Sequence, residues 1–395
     1  MDSVAQEPVP YPFEAGPGPG LAPAYAAAMA SPGLLRVRMP HGEPAWLATR
    51  YDDVRLVMGD GRFSRAAAVE RDYPRLTEYK LAGMLSADPP EHTWLRAPAA
   101  KAFTRHRVER LRGWVRGLAG SLVDGMKDAG PPADLMAHFA MPLPVAVICE
   151  LLGVPEADRT RFGDWSAGLM PTAPLTVEER VRIGAELREY FADLVRERRA
   201  EPRDDLVSTL ARERDAQDRP SEEDLLDLCG GLLIAGHETT TAEIGNFAHV
   251  LLSRPELVAR LRAEPDLIGS AVEELLRFVP LSAGGSFPNY AKEDVEVGGV
   301  LVRAGEPVLV SVGAANRDAA RFANPDEVVL DREDNRHLGF GHGAHFCPGA
   351  QLARLELQEA LAVLLTRIPG LHLAGEATWN TGSLVHGPLR LPVGW

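Results

Sequence analysis

The sequence predicts a mainly α-helical protein with small β-sheets. Two observations carry that expectation. Helical spacing of apolar residues persists over long stretches, at 143–152, 178–199 and above all 221–252. Strand-like alternation is confined to short runs beside turn residues, at 34–51, 294–312 and 371–395. No internal repeat or linker interrupts the chain. Its 395 residues are therefore expected to form a single domain, with a poorly ordered Pro/Gly-rich segment over about 1–23.

Residues 34–51 read as a β-hairpin: Leu35, Val37 and Met39 alternate, 40–43 turn, and Trp46, Leu47 and Ala48 return. A short helix follows over 52–58, with Asp52 and Asp53 at its positive end. Residues 59–90 are irregular, and an excursion that long is either plain surface or a binding loop. A second helix starts at 88–92, and its His92 and Arg96 share one face. On spacing alone that face is simply solvated. Beyond it come Lys101, Arg105, His106, Arg107, Arg110, Arg112 and Arg116 with few acids among them. Residues 165–174 read as a loop between helices.

Ser221 followed by Glu222, Glu223 and Asp224 is a helix start, a capping serine with acids in the first turn. Apolar and small residues then run to Leu252. Unbroken, such a helix is ~45–50 Å long, and being apolar all round it belongs inside the protein. Residues 294–312 read as strands turning at Gly298-Gly299, and 371–395 as a terminal hairpin.

The net charge of −14 argues against nucleic acid as a partner. Cys149, Cys229 and Cys347 are few, odd in number and far apart, which suits a reducing compartment rather than a disulfide scaffold. No apolar run approaches the ~20 residues of a membrane span, and the first residues lack the basic start of a signal peptide. A cytoplasmic protein without membrane contact is expected.

Two places conflict with ordinary structure. Cys347 lies in a run with Gly341, Gly343 and Gly349, just before an amphipathic stretch. Glycines permit positive φ, and backbone N–H groups at a helix start favour a thiolate. Such a sulfur is a nucleophile or a metal ligand; the other reading is a buried structural cysteine. The second place is Ala235-Gly236-His237-Glu238-Thr239-Thr240, poor material for the middle of a helix. Thr239 can bond back to the Ala235 carbonyl, which marks either a functional site or the cap of a second, shorter helix.

Phe340, Gly343, Cys347 and Gly349 fit F-x-x-G-x-x-x-C-x-G, Ala235 to Thr239 fit A-G-x-[DE]-T, and Glu274 with Arg277 fit E-x-x-R. From about residue 34 to 395 the chain resembles the cytochrome P450 superfamily, and in detail its soluble bacterial members that tailor macrolides and other secondary metabolites. The resemblance implies the cytochrome P450 fold, a triangular helical prism around heme with a long central helix. It implies heme b (iron protoporphyrin IX) with Cys347 as the iron ligand, shielded by Phe340, and Gly349 letting the loop pass close to the porphyrin. His92, Arg96 and His345 are then partners of the propionates, and Ala235 and Gly236 line the oxygen groove. Thr239 steadies bound dioxygen while Glu238, longer than the more frequent Asp, supplies protons. Glu274 and Arg277 are structural, fixing the loop behind the heme. Asn289 stands where many relatives carry an Arg to a propionate.

By the same resemblance the protein is a monooxygenase that hydroxylates or epoxidises an apolar small molecule. Electrons come from NAD(P)H through ferredoxin reductase and a small acidic ferredoxin, docked on Arg105, Arg107, Arg110 and Arg112. Leu85, Met170, Leu232, Ala235, Leu281, Phe287, Leu384 and Val385 are expected to line the substrate pocket, and a monomer is expected. Oxidative coupling or rearrangement on the same fold, or a non-catalytic heme sensor, are the alternatives. Thr239 and Glu238 argue against the sensor, since mere binding needs no proton relay.

Overall fold

A computed structural model of the chain describes residues 7–395 apart from 15, 17, 79, 81–82, 170–175, 218–220, 283, 285–286 and 381–383. The chain divides into two compact units, one from 1–89, 267–347 and 379–387, the other from 90–266, 348–378 and 388–395. Helices dominate, and the sheets are small.

The first unit is built on a six-stranded sheet. Val9–Pro10 runs parallel to Leu35–Arg38, which pairs antiparallel with Ala45–Ala48. Next come Pro307–Val310 in parallel, Asn289–Ala291 antiparallel to it, and Phe63–Ser64 at the edge. The expected hairpin over 34–51 is present, with Val37, Ala45 and Leu47 buried as the alternation requires. Helix Tyr51–Gly59 buries Val54 and Val57. Val295–Val297 and Val300–Val302 form the expected second hairpin. Gly298 and Gly299 turn it with φ of 58° and 79°, values open to glycine at little cost. The expectation of poor order at the start fails over 7–14. Tyr11 packs edge-on against Phe13 at 5.2 Å, and its hydroxyl meets that of Tyr25 at 2.8 Å. These aromatic anchors outweigh the Pro/Gly composition around them.

A buried ion pair organises the rest of this unit. Glu274 and Arg277, one turn apart on helix Ile268–Phe278, are both fully buried and bond at 2.7 and 2.8 Å. Arg277 also donates to the carbonyls of Asn316, Pro325 and Glu327. Glu274 accepts from the Val329 N–H, Arg332 and Asn335. The Asn316 side chain in turn accepts the Leu338 N–H at 2.7 Å, nine residues before Cys347.

In the second unit, helix Glu222–Leu252 is continuous over 31 residues. Ser221 caps it in a reciprocal box with Asp224. The alternative of two shorter helices is thereby excluded. Around it pack helices Glu91–Ala102, Pro142–Leu152, Val177–Ala200, Leu206–Gln217 and Ala350–Arg367. The region 165–174 needs correction: Trp165 to Leu169 belong to helix Arg159–Leu169, where Trp165 is buried, and 170–175 lie outside the described residues. Small and polar residues there concealed the continuing helix. The terminal hairpin is present as His372–Leu373 against Pro392–Gly394, joined by Ala133–Asp134. Among the described residues no helix is long and apolar enough to cross a membrane.

Removing one partner of a buried ion pair strands the other charge, at a cost of ~3–5 kcal/mol. Arg277→Met is therefore expected to lower the free energy of unfolding, read from denaturant melts, by that amount. Glu274→Gln, which keeps acceptor capacity on one oxygen, should lower it less.

Candidate active site

The cysteine loop is held from both ends. The Gly341 N–H bonds the Leu338 carbonyl at 2.7 Å, and the Cys347 N–H bonds the Phe340 carbonyl at 2.8 Å. Between them Gly343–His345 make one 3-10 turn. Gly343, with φ 71°, is obligatory: a Cβ there would lie 2.4 Å from the Met58 carbonyl oxygen. The loop thus lies against the end of helix Tyr51–Gly59, with Gly59 against His342. Phe340 stands between His337 and Phe346, with ring centroids at 6.2 and 6.4 Å.

The three cysteines are not alike. Cys149 and Cys229 are buried, and burial pushes each thiol up to about 12, so neither is a thiolate near neutral pH. Cys347 is partly exposed, on a glycine cradle three residues ahead of helix Ala350–Arg367.

The second unit carries the polar turn of the central helix. His237 faces the core, its Nδ1 2.7 Å from the Leu233 carbonyl, and burial holds its pKa down. Thr239 Oγ1 donates to the Ala235 carbonyl at 3.0 Å, the back-bond expected of it. Glu238 is half-buried, and loss of hydration raises its carboxyl to about 7. Ala235 is exposed. Gly236 has a packing reason of its own, since a Cβ there would meet Ile148 at 2.7 Å. His92 is only 2% exposed, so the solvated-face reading fails for it; Arg96 is half-buried. Their helix packs against the central helix within this unit.

The pocket residues are scattered. In the first unit Ser282 bridges Val385, and the His386 N–H bonds the Leu281 carbonyl at 2.7 Å, which brings Leu281 and Val385 together. Phe287 and Leu384 are half-buried there, while Leu85 is 43% exposed. Leu232 is buried in the second unit, and Met170 lies outside the described residues. The basic stretch has acids after all, supplied by distant segments. Arg107 and Arg110 share Asp204, Arg112 and Arg116 share Glu359, and Lys101 meets Glu213.

Residues 159–368 match the family model described as Cytochrome P450. The chain is 53% identical over 393 residues to Mycinamicin IV hydroxylase/epoxidase of Micromonospora griseorubida, covering 98% of this chain and 99% of that protein. The chain is a cytochrome P450. It is also 50% identical to Nocardicin C N-oxygenase of Nocardia uniformis subsp. tsuyamanensis, over 98% of both chains. A solved structure of the mixed-function P450 MycG superposes with a TM-score of 0.94 at 53% identity, covering 98% of this chain and 100% of that one. This P450 has the fold of its family and is a monooxygenase of the hydroxylase and epoxidase kind.

The residues present fit the heme of the family. A soft sulfur donor suits iron, and Gly343 closes a cradle that any side chain would block. In the first unit half-buried Arg65, and in the second buried His92 and half-buried Arg96, are donor side chains of the kind that bind carboxylates. Arg65 was missed in the sequence, where it reads as one more cation of a loop; it lies beside the buried Asn289, whose Oδ1 is 3.4 Å from its Nε.

Gly343→Ala must move the Met58 backbone or the loop. It is expected to reduce heme content on purification and to destabilise the fold by ~1–3 kcal/mol, read by the Soret-to-protein absorbance ratio and by thermal melting.

Proposed function

We propose that this P450 inserts one atom of O2 into a C–H or C=C bond of an apolar small molecule of secondary metabolism, with Cys347 as ligand of the heme iron. Heme b bound there supplies the redox chemistry that activates oxygen, and a thiolate ligand favours O–O cleavage. His92, Arg96 and His345 are the proposed donors to the propionates. The polar turn around Ala235 and Gly236 borders the oxygen site.

The observation that carries this reading is the pair Glu238 and Thr239. With its carboxyl raised to about 7 by burial, Glu238 holds its proton for much of the time near neutral pH and recovers it readily. The Thr239 hydroxyl donates to the Ala235 carbonyl, which leaves its lone pairs as acceptors. Together they hold and pass a proton on one turn of the central helix. A binding protein has no use for that arrangement.

The substrate class rests on relatives named for mycinamicin IV and nocardicin C. It also rests on the apolar lining that Leu281, Phe287, Leu384 and Val385 offer in one unit. Electrons are proposed to come from NAD(P)H through a reductase and an acidic ferredoxin in the cytoplasm. Arg105, Arg107, Arg110 and Arg112 form the proposed docking face of the monomer. Asp204, Glu109 and Glu359 offset part of that charge and leave the cations in the majority.

Two outcomes are expected. In 18O2 the product carries one labelled atom; in Thr239→Ala labelled product per electron pair falls several-fold and peroxide rises. Unlabelled product would favour coupling, and unchanged yield would remove Thr239 from the chemistry. The wild type should also lose coupling as pH rises through about 7, where Glu238 gives up its proton. Glu238→Gln should show a lower profile without that step; if the step persists, another group supplies the proton.

A further inference from the structure

Asn289 creates a deficit within the first unit. It sits at the start of strand Asn289–Ala291, buried, and its Nδ2 reaches only the carbonyls of Phe287 and Val308, at 3.3 and 3.5 Å. Strand Phe63–Ser64 pairs with that strand, so the next residue, Arg65, is brought beside it. Arg65 Nε lies 3.4 Å from Asn289 Oδ1, and its guanidinium lies over the Phe287 ring, 5.5 Å from the centroid.

The guanidinium is under-used. Its remaining contact among the described residues is a long 3.5 Å approach of Nη1 to the Leu85 carbonyl. Asp88, the carboxylate whose charge acts on Arg65, is held by other donors. It accepts from the Ser64 hydroxyl and from the backbone N–H groups of Arg65 and Ala66. Loss of hydration pulls the Arg65 pKa down to about 10, partly countered by the Asp88 charge. A half-buried, rigid fork of donors without a carboxylate is an expensive arrangement unless an anion completes it. Helix Tyr51–Gly59 ends against His342 and Gly343, and Arg65 follows six residues later.

We propose that Arg65, braced by Asn289 and Phe287, is a carboxylate-binding residue that supplies from strand Phe63–Ser64 the cation position 289 lacks. This deepens the reading of the site as a heme enzyme and rests on it. A carboxylate at this corner has two sources, a heme propionate or an acidic substrate. Asn289 acts through Arg65: its amide oxygen takes one guanidinium proton and turns the other edge of the fork outward.

The test uses the ferric holoprotein. Wild type, Arg65→Gln, Arg65→Lys and the double variant Arg65→Gln/Asn289→Arg are compared for heme transfer to excess apomyoglobin and for reduction potential. Each is also titrated spectrally with octanoate and methyl octanoate. If the propionate is the ligand, Arg65→Gln loses heme roughly ten- to a hundredfold faster, the size of one charge-assisted bond. Its potential falls, because an uncompensated carboxylate favours the ferric state. Arg65→Lys and the double variant recover most of both. If a substrate carboxylate is the ligand, heme loss and potential stay put, and Arg65→Gln instead erases a wild-type preference for octanoate over its ester. Neither change overturns the proposal. A wild type without the red-shifted Soret of a thiolate-bound CO complex would instead sink the heme-thiolate reading, a result seen before any variant is compared.

Discussion

The Glu274–Arg277 pair is the constraint on which the first unit depends. Two full charges without solvent contact are tolerable only when every donor and acceptor is used, and here they nearly all are. The guanidinium gathers three backbone carbonyls from 316–327, and the carboxylate gathers a backbone N–H, an arginine and an amide from 329–335. Desolvation pushes the Glu274 carboxyl up, but these donors win and hold it below the usual range. Its contribution is therefore complete at neutral pH and is lost only as acid protonates the folded carboxylate. A segment with almost no regular structure is thereby fixed, and through Asn316 so is the start of the cysteine loop.

The central helix solves a different problem. Its middle and second half are largely buried, yet its middle turn must present polar groups. Glycine at 236 lets Ile148 come close, so packing is kept where a side chain would have forced the helices apart. The hydroxyl of Thr239 is satisfied within the helix, and only Glu238 carries its polarity outward. Further along, Glu243 is fully desolvated, and so is Glu356 on helix Ala350–Arg367; burial pushes both carboxyls well above the usual carboxylate range.

Much of the fold was legible because its signals are local. Alternation marked the hairpin at 34–51, the Gly298-Gly299 pair marked a turn, and Ser221 with Asp224 marked a helix start. The failures came where composition competes with a few strong contacts. Tyr11 and Phe13 anchor a stretch that Pro and Gly made look loose. Trp165 buries itself in a helix that small neighbours disguised. The basic stretch after residue 100 looked unopposed because its acids, Asp204, Glu213 and Glu359, lie 94 to 247 residues away.

What the sequence by itself determined is the chemistry: a thiol on a glycine loop, an acid beside an alcohol, and an E-x-x-R pair. Those depend on residue type and near-neighbour spacing, which a chain carries in one dimension. Tertiary structure alone set the thiols apart, by burying Cys149 and Cys229 and leaving Cys347 partly exposed. It alone set Arg65 against Asn289, 224 positions apart, and made His92 a buried group rather than a solvated one. Burial and long-range pairing set pKa and satisfaction, and both arise only when distant segments share one dry space.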